Sequence, residues 1–402
     1  MDKKRNIAII GTVGLPAKYG GFETLANHLV SNLREMYSFT VYCTKKRYKK
    51  SERLNTYEGA KLKYVNLRAN GIQSILYDAY SILHALLYAD ILLILGVAGV
   101  WVLPFVRLFT NKKIIVSIDG IEWKREKWSL PAQLYLRWAE KIAVYYSHID
   151  ISDNESIQNY TGLRYGTLSR VIEYGGDHVK PVAIEQKDRK THTFIDQRYA
   201  FTVCRIEPEN NIEMILEAFS GQNLMNLVVV GNWNNSLYGK RLRKKYTKSR
   251  LILLDGIYDQ RELDVLRSNA CLYVHGHSAG GTNPSLVEAM SLGLPIIAFD
   301  VSYNRVTTER QALYFKTSTD LVSLIESNSE QRLLEVGIKM RTIAKRRYNW
   351  ARISKQYHNL FVACMSSSTK PALSNNASEL PLPVLSELNA NHLKYTKLFY
   401  ES

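Results

Sequence analysis

Short apolar runs alternate with amphipathic stretches along this 402-residue chain, and the pattern is written twice, around one polar, aperiodic stretch. In the first half the apolar runs are Asn6–Ile10, Phe39–Cys43, Lys61–Val65, Ile91–Leu95, Ile114–Ile118, His148–Ser152 and Leu168–Ile172. Helical spacing fills the gaps at Phe22–Met36, Ile72–Tyr88 and Pro131–Tyr146, the last opening on proline as helices often do. After the aperiodic Glu185–Gln197, the runs resume at Tyr199–Cys204, Leu227–Val230, Leu251–Leu254, Cys271–Val274 and Pro295–Phe299. Helices are predicted between them at Ile212–Ser220 and Gln260–Asn269. Strands alternating with helices predict a parallel sheet covered on both faces.

A chain this long exceeds one compact core. The pattern predicts an α/β protein of two Rossmann-like domains facing each other across a cleft, at 1–184 and 198–349. A helix in 350–365 then crosses back to the first domain, and 366–402, rich in Ser, Asn and Ala, forms a flexible linker and tail.

With 46% hydrophobic residues the chain is globular, and its net charge of +16 attracts phosphates on nucleotides, nucleic acids or anionic lipids. The charge gathers at 45–50, 240–245 and 345–347, and each cluster taken singly reads more readily as a solvated face. No nucleic-acid motif accompanies it, so nucleic acid is not an expected partner. Cys43, Cys204, Cys271 and Cys364 are scattered, which fits a reducing cytoplasm. The uncharged run Ile91–Val106 is too short to span a bilayer and is broken by Gly96, Gly99 and Pro104. It reads as a strand, a glycine turn and a helix start, and attachment to a membrane surface is expected in place of spanning.

The chemistry concentrates at His275–Met290, HGHSAGGTNPSLVEAM. A strand, the turn Gly280-Gly281 with Thr282 and Asn283, and a helix from Leu286 to Leu292 place free backbone amides and a positive dipole end together, which makes an anion site. Glu288, about one turn into that helix, can accept hydrogen bonds from ribose hydroxyls. An ordinary strand-to-helix connection has the same pattern. A second turn, GTVGLPAKYGG, ends in Gly20-Gly21 before a helix, which lets the backbone approach a donor diphosphate or sugar. It does not spell the dinucleotide fingerprint, and the second strand ends in VYCTKK without an acid for ribose, which disfavours a redox enzyme.

Asp119, Glu122, Asp153 and Tyr174 follow predicted strands of the first half and are placed to orient an acceptor hydroxyl or a donor sugar. Each also has a plain reading: Asp153 as the cap of a helix from Glu155, Tyr174 as packing. Trp123 stands among Lys124, Arg125 and Lys127, where it would touch a lipid-linked acceptor or simply cover a helix. His275 and His277 lack further ligands, and no aspartate pair ends a strand, so no metal is expected.

Four segments resemble retaining glycosyltransferases of family 4, with the GT-B fold: Gly20-Gly21-Phe22-Glu23-Thr24, VIEYGGDH at 171–178, Arg205, and TNPSLVEAMSLGLPII. They stand in the family's order over the chain to about residue 362. The strings GTVGLPAKYGGFET, SIDGIEWKREKW and HGHSAGGTNPSLVEAM are similar to one branch, the bacterial β-1,4-rhamnosyltransferases of capsule and cell-wall polysaccharide synthesis. The resemblance implies transfer of L-rhamnose from dTDP-β-L-rhamnose to an undecaprenyl-diphosphate-linked glucose or N-acetylglucosamine. It implies retention by front-face attack, no cofactor, and a cytoplasmic enzyme peripheral on the anionic inner face of the plasma membrane. A transferase for another nucleotide sugar and a nucleotide-sugar epimerase on the same fold are the alternatives. The family's diphosphate-binding Arg falls on Arg205, and its Lys position is Asn210. Of its glutamate pair, the second falls on Glu288 and the first on Gly280, and Asp119 stands where many members have a histidine.

Overall fold

The computed structural model describes residues 4–366 apart from 18–19, 119, 126–127, 222–224 and 248–249. Asp119 and the tail therefore lie outside the described residues. The chain divides into two units: one runs to Glu173 and takes up the chain again from Ala351, the other is Tyr174–Trp350. The segment 174–184, assigned by sequence to the first half, thus belongs to the second unit.

The first unit is built on β1 (Arg5–Ile10), β2 (Tyr37–Thr44), β3 (Thr56–Tyr57), β4 (Ala60–Val65), β5 (Ile91–Leu95), β6 (Lys113–Ile118), β7 (Ile149–Ser152) and β8 (Arg170–Val171). The sheet order is β3-β4-β2-β1-β5-β6-β7-β8, and every pair is parallel except the short β3–β4. The order reverses between β1 and β5, which makes the end of β1 a topological switch point. Its helices are α1 (Gly21–Leu33), α2 (Gln73–Ala85), α3 (Leu103–Phe109), α4 (Leu130–Tyr146) and α5 (Glu155–Tyr165). Ile7–Ile10 and Leu92–Ile94 are fully buried, and α2, α3 and α4 close one face over them with Tyr77, Ile82, Val106 and Ala143. The run Ile91–Val106 is a strand, a glycine turn and a helix start; among the described residues no helix is long and apolar enough to cross a membrane.

The second unit contains α6 (Gln186–Thr191), β9 (Tyr199–Val203), α7 (Ile212–Gly221), β10 (Asn226–Val230), α8 (Leu237–Lys245), β11 (Leu251–Leu254), α9 (Gln260–Ser268) and β12 (Leu272–His275). It continues with α10 (Pro284–Leu292), β13 (Ile296–Phe299), α11 (Ser302–Thr307), β14 (Leu313–Phe315), α12 (Ser318–Ser327), α13 (Glu330–Arg347) and the start of α14 (Trp350–Ser366). Its sheet is parallel, in the order β11-β10-β9-β12-β13-β14, with the switch between β9 and β12. From Ala351 onward α14 packs in the first unit, where Tyr37 meets the rings of His358 and Phe361 and Asn32 donates to Ser354 at 2.9 Å.

The stretch 185–197 is not featureless. Arg261 grips Asp188 of α6 through two bonds of 2.8 and 3.0 Å and reaches Glu185 at 2.8 Å. Two of the three basic clusters meet acids: Arg241 and Lys245 pair with Glu213, Arg243 with Asp255, and Arg346 and Arg347 with Glu309.

Candidate active site

In the second unit the loops after β9 and β12 flank the switch point, where ligands of open α/β sheets bind. They are stitched together. Ser278 donates its amide and its hydroxyl to the Glu209 carbonyl at 2.8 and 2.9 Å, and Asn211, in the left-handed region at φ 50°, donates to the Gly276 carbonyl at 2.8 Å. Gly276 admits no side chain, since a Cβ would lie 2.2 Å from the Asn210 carbonyl oxygen. Asn210 is buried and donates to the Arg205 carbonyl at 2.6 Å, so its amide shapes the turn that presents Arg205. The Arg205 side chain is 46% exposed and lies 4.0 Å from Glu207.

Beside this turn α10 begins. Gly280 takes φ +113°, Thr282 is buried, and Asn283 stands at the cap without using its side chain to close the helix end. The positive end of α10 is left without a side-chain cap, which suits an incoming anion. His275 at the end of β12 is fully buried; burial pushes its imidazole down to about 3, so it stays neutral, stacked 4.2 Å from His277.

Glu288 sits one turn into α10 and is held from two sides. The fully buried Arg267 of α9 donates to Oε2 at 2.7 Å, and His178 Nε2 lies 3.3 Å from Oε1. The Trp350 indole donates to His178 Nδ1 at 3.1 Å, which fixes the tautomer: Nδ1 accepts, so Nε2 carries the proton toward Glu288. Burial alone would raise the Glu288 carboxyl, but the Arg267 charge and the His178 bond outweigh it and hold it below the ordinary carboxylate range. Tyr174 is buried in the same segment as His178, where Gly176 donates to the Tyr348 carbonyl at 2.8 Å and Trp350 donates its amide to Asp177 at 2.8 Å.

Gly20, Gly21, Glu122, Trp123 and Asp153 belong to the first unit. Gly20 takes φ +90° and leads into α1. Glu23, in the first turn of α1, is buried and accepts the Val13 amide at 2.5 Å, so this helix start carries a carboxylate of its own. Asp153 is buried at the end of β7 but does not cap α5; Asn154 does, accepting the Ser156 amide at 2.9 Å. Glu122 accepts from Trp128 at 3.0 Å and pairs with Arg125 at 2.7 Å. Trp123 donates to Tyr160 at 2.9 Å, which donates in turn to Glu140 at 2.6 Å, and Arg164 lies 5.1 Å from its ring. Glu122 is therefore tied into its own loop, and Trp123 into the packing against α4 and α5.

Residues 184–367 match the family of group 1 glycosyl transferases, and residues 4–177 match a domain of unknown function, DUF1972. Residues 184–367 are thus a group 1 glycosyl transferase domain, and the chain is a glycosyltransferase. No curated protein matches it with significance. Among solved structures, this glycosyltransferase is similar to sucrose-phosphate synthase from Thermosynechococcus elongatus, with TM-score 0.78 and 17% identity over 90% of this chain and 100% of that one. Anabaena Alr3699/HepE in complex with UDP-glucose aligns with TM-score 0.73 and 16% identity over 90% and 100% of the two chains. The catalytic domain of starch synthase IV from Arabidopsis thaliana, bound to ADP and acarbose, gives 0.66 and 14% over 90% and 99%. At these identities the likeness is one of fold, two Rossmann-like domains of the GT-B kind.

Glu23, within the Gly20–Thr24 string, and Arg267, within the helix predicted at Gln260–Asn269, carry roles that the sequence did not assign. The signal for Glu23 was its place in the first turn after two glycines. Arg267 left only a faint one, a cation in an otherwise amphipathic helix.

Proposed function

We propose that the enzyme transfers L-rhamnose from dTDP-β-L-rhamnose, with retention, to a glucose or N-acetylglucosamine carried on a lipid diphosphate at an anionic membrane surface. The observation that supports a nucleotide-diphosphate donor is that the turn carrying Arg205 and the loop leading to α10, whose start has no side-chain cap, are hydrogen-bonded together at the β9/β12 switch point. The choice of rhamnose is supported by the strings GTVGLPAKYGGFET and HGHSAGGTNPSLVEAM. In this reading Arg205 and the amides at Gly281–Asn283 neutralise the diphosphate as the bond from C1 to the phosphate oxygen breaks. The acceptor hydroxyl oxygen bonds to C1 on the same face and gives its proton to the departing phosphate. Glu288 takes the nucleoside sugar hydroxyl, and Asp119, Asp153 and Tyr174 orient the reacting sugars. Glu122 and Trp123 shape the acceptor side. No metal takes part.

A second reading, transfer from a uridine nucleotide sugar, is favoured by the likeness to a protein solved with UDP-glucose. Both are tested by incubating the enzyme with a panel of nucleotide sugars and a short-chain lipid-diphosphate glucose or N-acetylglucosamine, with and without EDTA, and weighing the product. One deoxyhexose gained from dTDP-rhamnose alone, unchanged by EDTA, is the expected result; a hexose gained from a UDP-sugar overturns the donor, and loss with EDTA overturns the metal-free mechanism.

A further inference from the structure

Most large hydrophobic side chains exposed among the described residues fall between residues 72 and 146, whereas the second unit exposes only Leu237, Tyr258, Leu334 and Ile338. They are not scattered. On and beside α2, Ile72, Leu76, Tyr80, Leu83 and Leu87 recur at helical spacing, with Leu87 81% exposed. The opposite face of α2, with Tyr77, Ile82 and Ala85, is buried in the core. A helix that is apolar all round is normally covered all round; here one side is bare.

The next two helices repeat the feature. Trp101, Phe105, Leu108 and Phe109 are exposed on and just before α3, Phe109 to 74%. On α4, Leu130, Leu134, Trp138 and Tyr145 are exposed. The three helices lie on the same face of the sheet over one shared core, with α3 against α4 and the turn leading into α3 against both α2 and α4, so their outer sides form one surface. None of the exposed residues of α2, α3 and α4 is acidic: Asp78 and Glu140 are both buried. The charges exposed there are cations, Arg137 and Lys141. At the C-terminal ends of α3 and α4 an open cavity of about 720 Å³ adds Arg107 and Lys113 beside Tyr145, Tyr146 and His148.

We propose that the outer face of α2, α3 and α4 is a membrane-binding surface for a bilayer containing anionic lipid. Large apolar and aromatic groups without acids enter the headgroup boundary, while lysine and arginine hold lipid phosphates. A solvent-facing patch of this extent is otherwise an aggregation liability. The Arg107–Lys113 cavity takes a headgroup phosphate. Since α2 and α4 follow the C-terminal ends of β4 and β6, the surface starts at the strand edge where substrates of such sheets bind. A soluble enzyme for the same donor would not need this face. The inference names the surface for the membrane part of the proposed function and is independent of which sugar is moved.

The test is flotation of the full chain with vesicles of equal parts phosphatidylglycerol and phosphatidylcholine, against vesicles of phosphatidylcholine alone. We expect binding to the anionic vesicles that weakens with salt. The combined variant Phe105→Ser, Leu108→Ser, Phe109→Ser should lose about tenfold or more of it. Arg137→Glu with Lys141→Glu should abolish the preference for anionic lipid, and Leu237→Ser with Ile338→Ser should change nothing. Absence of flotation by the full chain overturns the proposal, as does flotation of the triple variant equal to wild type. A dimer by light scattering that the triple variant converts to monomer overturns it in favour of self-association. Transfer to a water-soluble acceptor is measured in parallel: a chain that transfers but does not float breaks this proposal and leaves the transfer reading intact, and one that floats but transfers nothing does the reverse.

Discussion

The two glycine-rich turns of this glycosyltransferase look alike in sequence and differ in what their helices have left to offer. Both sit at a strand end beside a switch point, and both lead into a helix through a glycine at positive φ. In α1 the first turn supplies Glu23, whose carboxylate folds back onto the Val13 amide; an added Cβ at Gly20 would lie 2.5 Å from it. An anion approaching there meets a negative charge. In α10 the cap residue Asn283 leaves the helix end without a side-chain cap, and Glu288, one turn in, is already paired with Arg267 and bonded by His178. The lesson is that a glycine turn before a helix defines a shape, while the charge within its first turn decides whether a phosphate is welcome.

The contrast predicts a ranking of effects. Arg267→Met strips Glu288 of its buried partner and should destabilise the enzyme by about 3–5 kcal/mol, read from denaturant unfolding; an unchanged midpoint would mean that Glu288 does not depend on Arg267. Arg205→Ala should lower transfer by about 10²–10³-fold, since it removes one charge-stabilising donor. Its unfolding curve should match wild type, because the side chain is 46% exposed. Loss of activity together with loss of fold would instead make Arg205 structural.

Glu23→Ala leaves the Val13 amide buried without an acceptor, at a cost of about 1–3 kcal/mol, whereas Glu23→Gln keeps the bond and should retain most of the stability. Equal thermal midpoints for the two variants would show that Glu23 does not hold the loop.

Acid should act through Glu288. Its folded carboxyl is held below its ordinary 4.5, so its ion pair contributes stability above that pH and loses it as pH falls through the depressed folded value. Wild type should show this as a decline in unfolding free energy below about pH 4.5, a loss that Glu288→Gln should not show. At the small end, Lys245→Ala, which removes an exposed pair with Glu213, should leave the melting temperature unmoved.

Much of this was legible in the chain because strand and helix periods are local. The expected Asn6–Ile10, Ile91–Leu95 and Leu251–Leu254 are strands at nearly those bounds, and Pro131–Tyr146 is a helix from Leu130. The helix expected at Ile72–Tyr88 is trimmed to Gln73–Ala85, because the flanking residues continue its apolar spacing without its backbone. Gly280 and Glu288 stood out from the strand, turn and helix pattern and Arg205 from the family resemblance, and the fold brings their loops to one switch point. The strongly charged 240–245 and 345–347 read only as surface, yet they end α8 and α13 and pair with acids far along the chain.

By itself the sequence determined the elements, the doubling of a parallel α/β unit and the places where glycine lets the backbone turn, since each depends on neighbours within a few residues. The tertiary structure alone decided which turn is open to an anion, what neutralises Glu288, and which side of α2, α3 and α4 stays bare. These depend on groups distant in sequence: Arg267 and His178 reach Glu288 from a neighbouring helix and a segment far upstream, and a helix apolar on both sides does not say which side the sheet will cover.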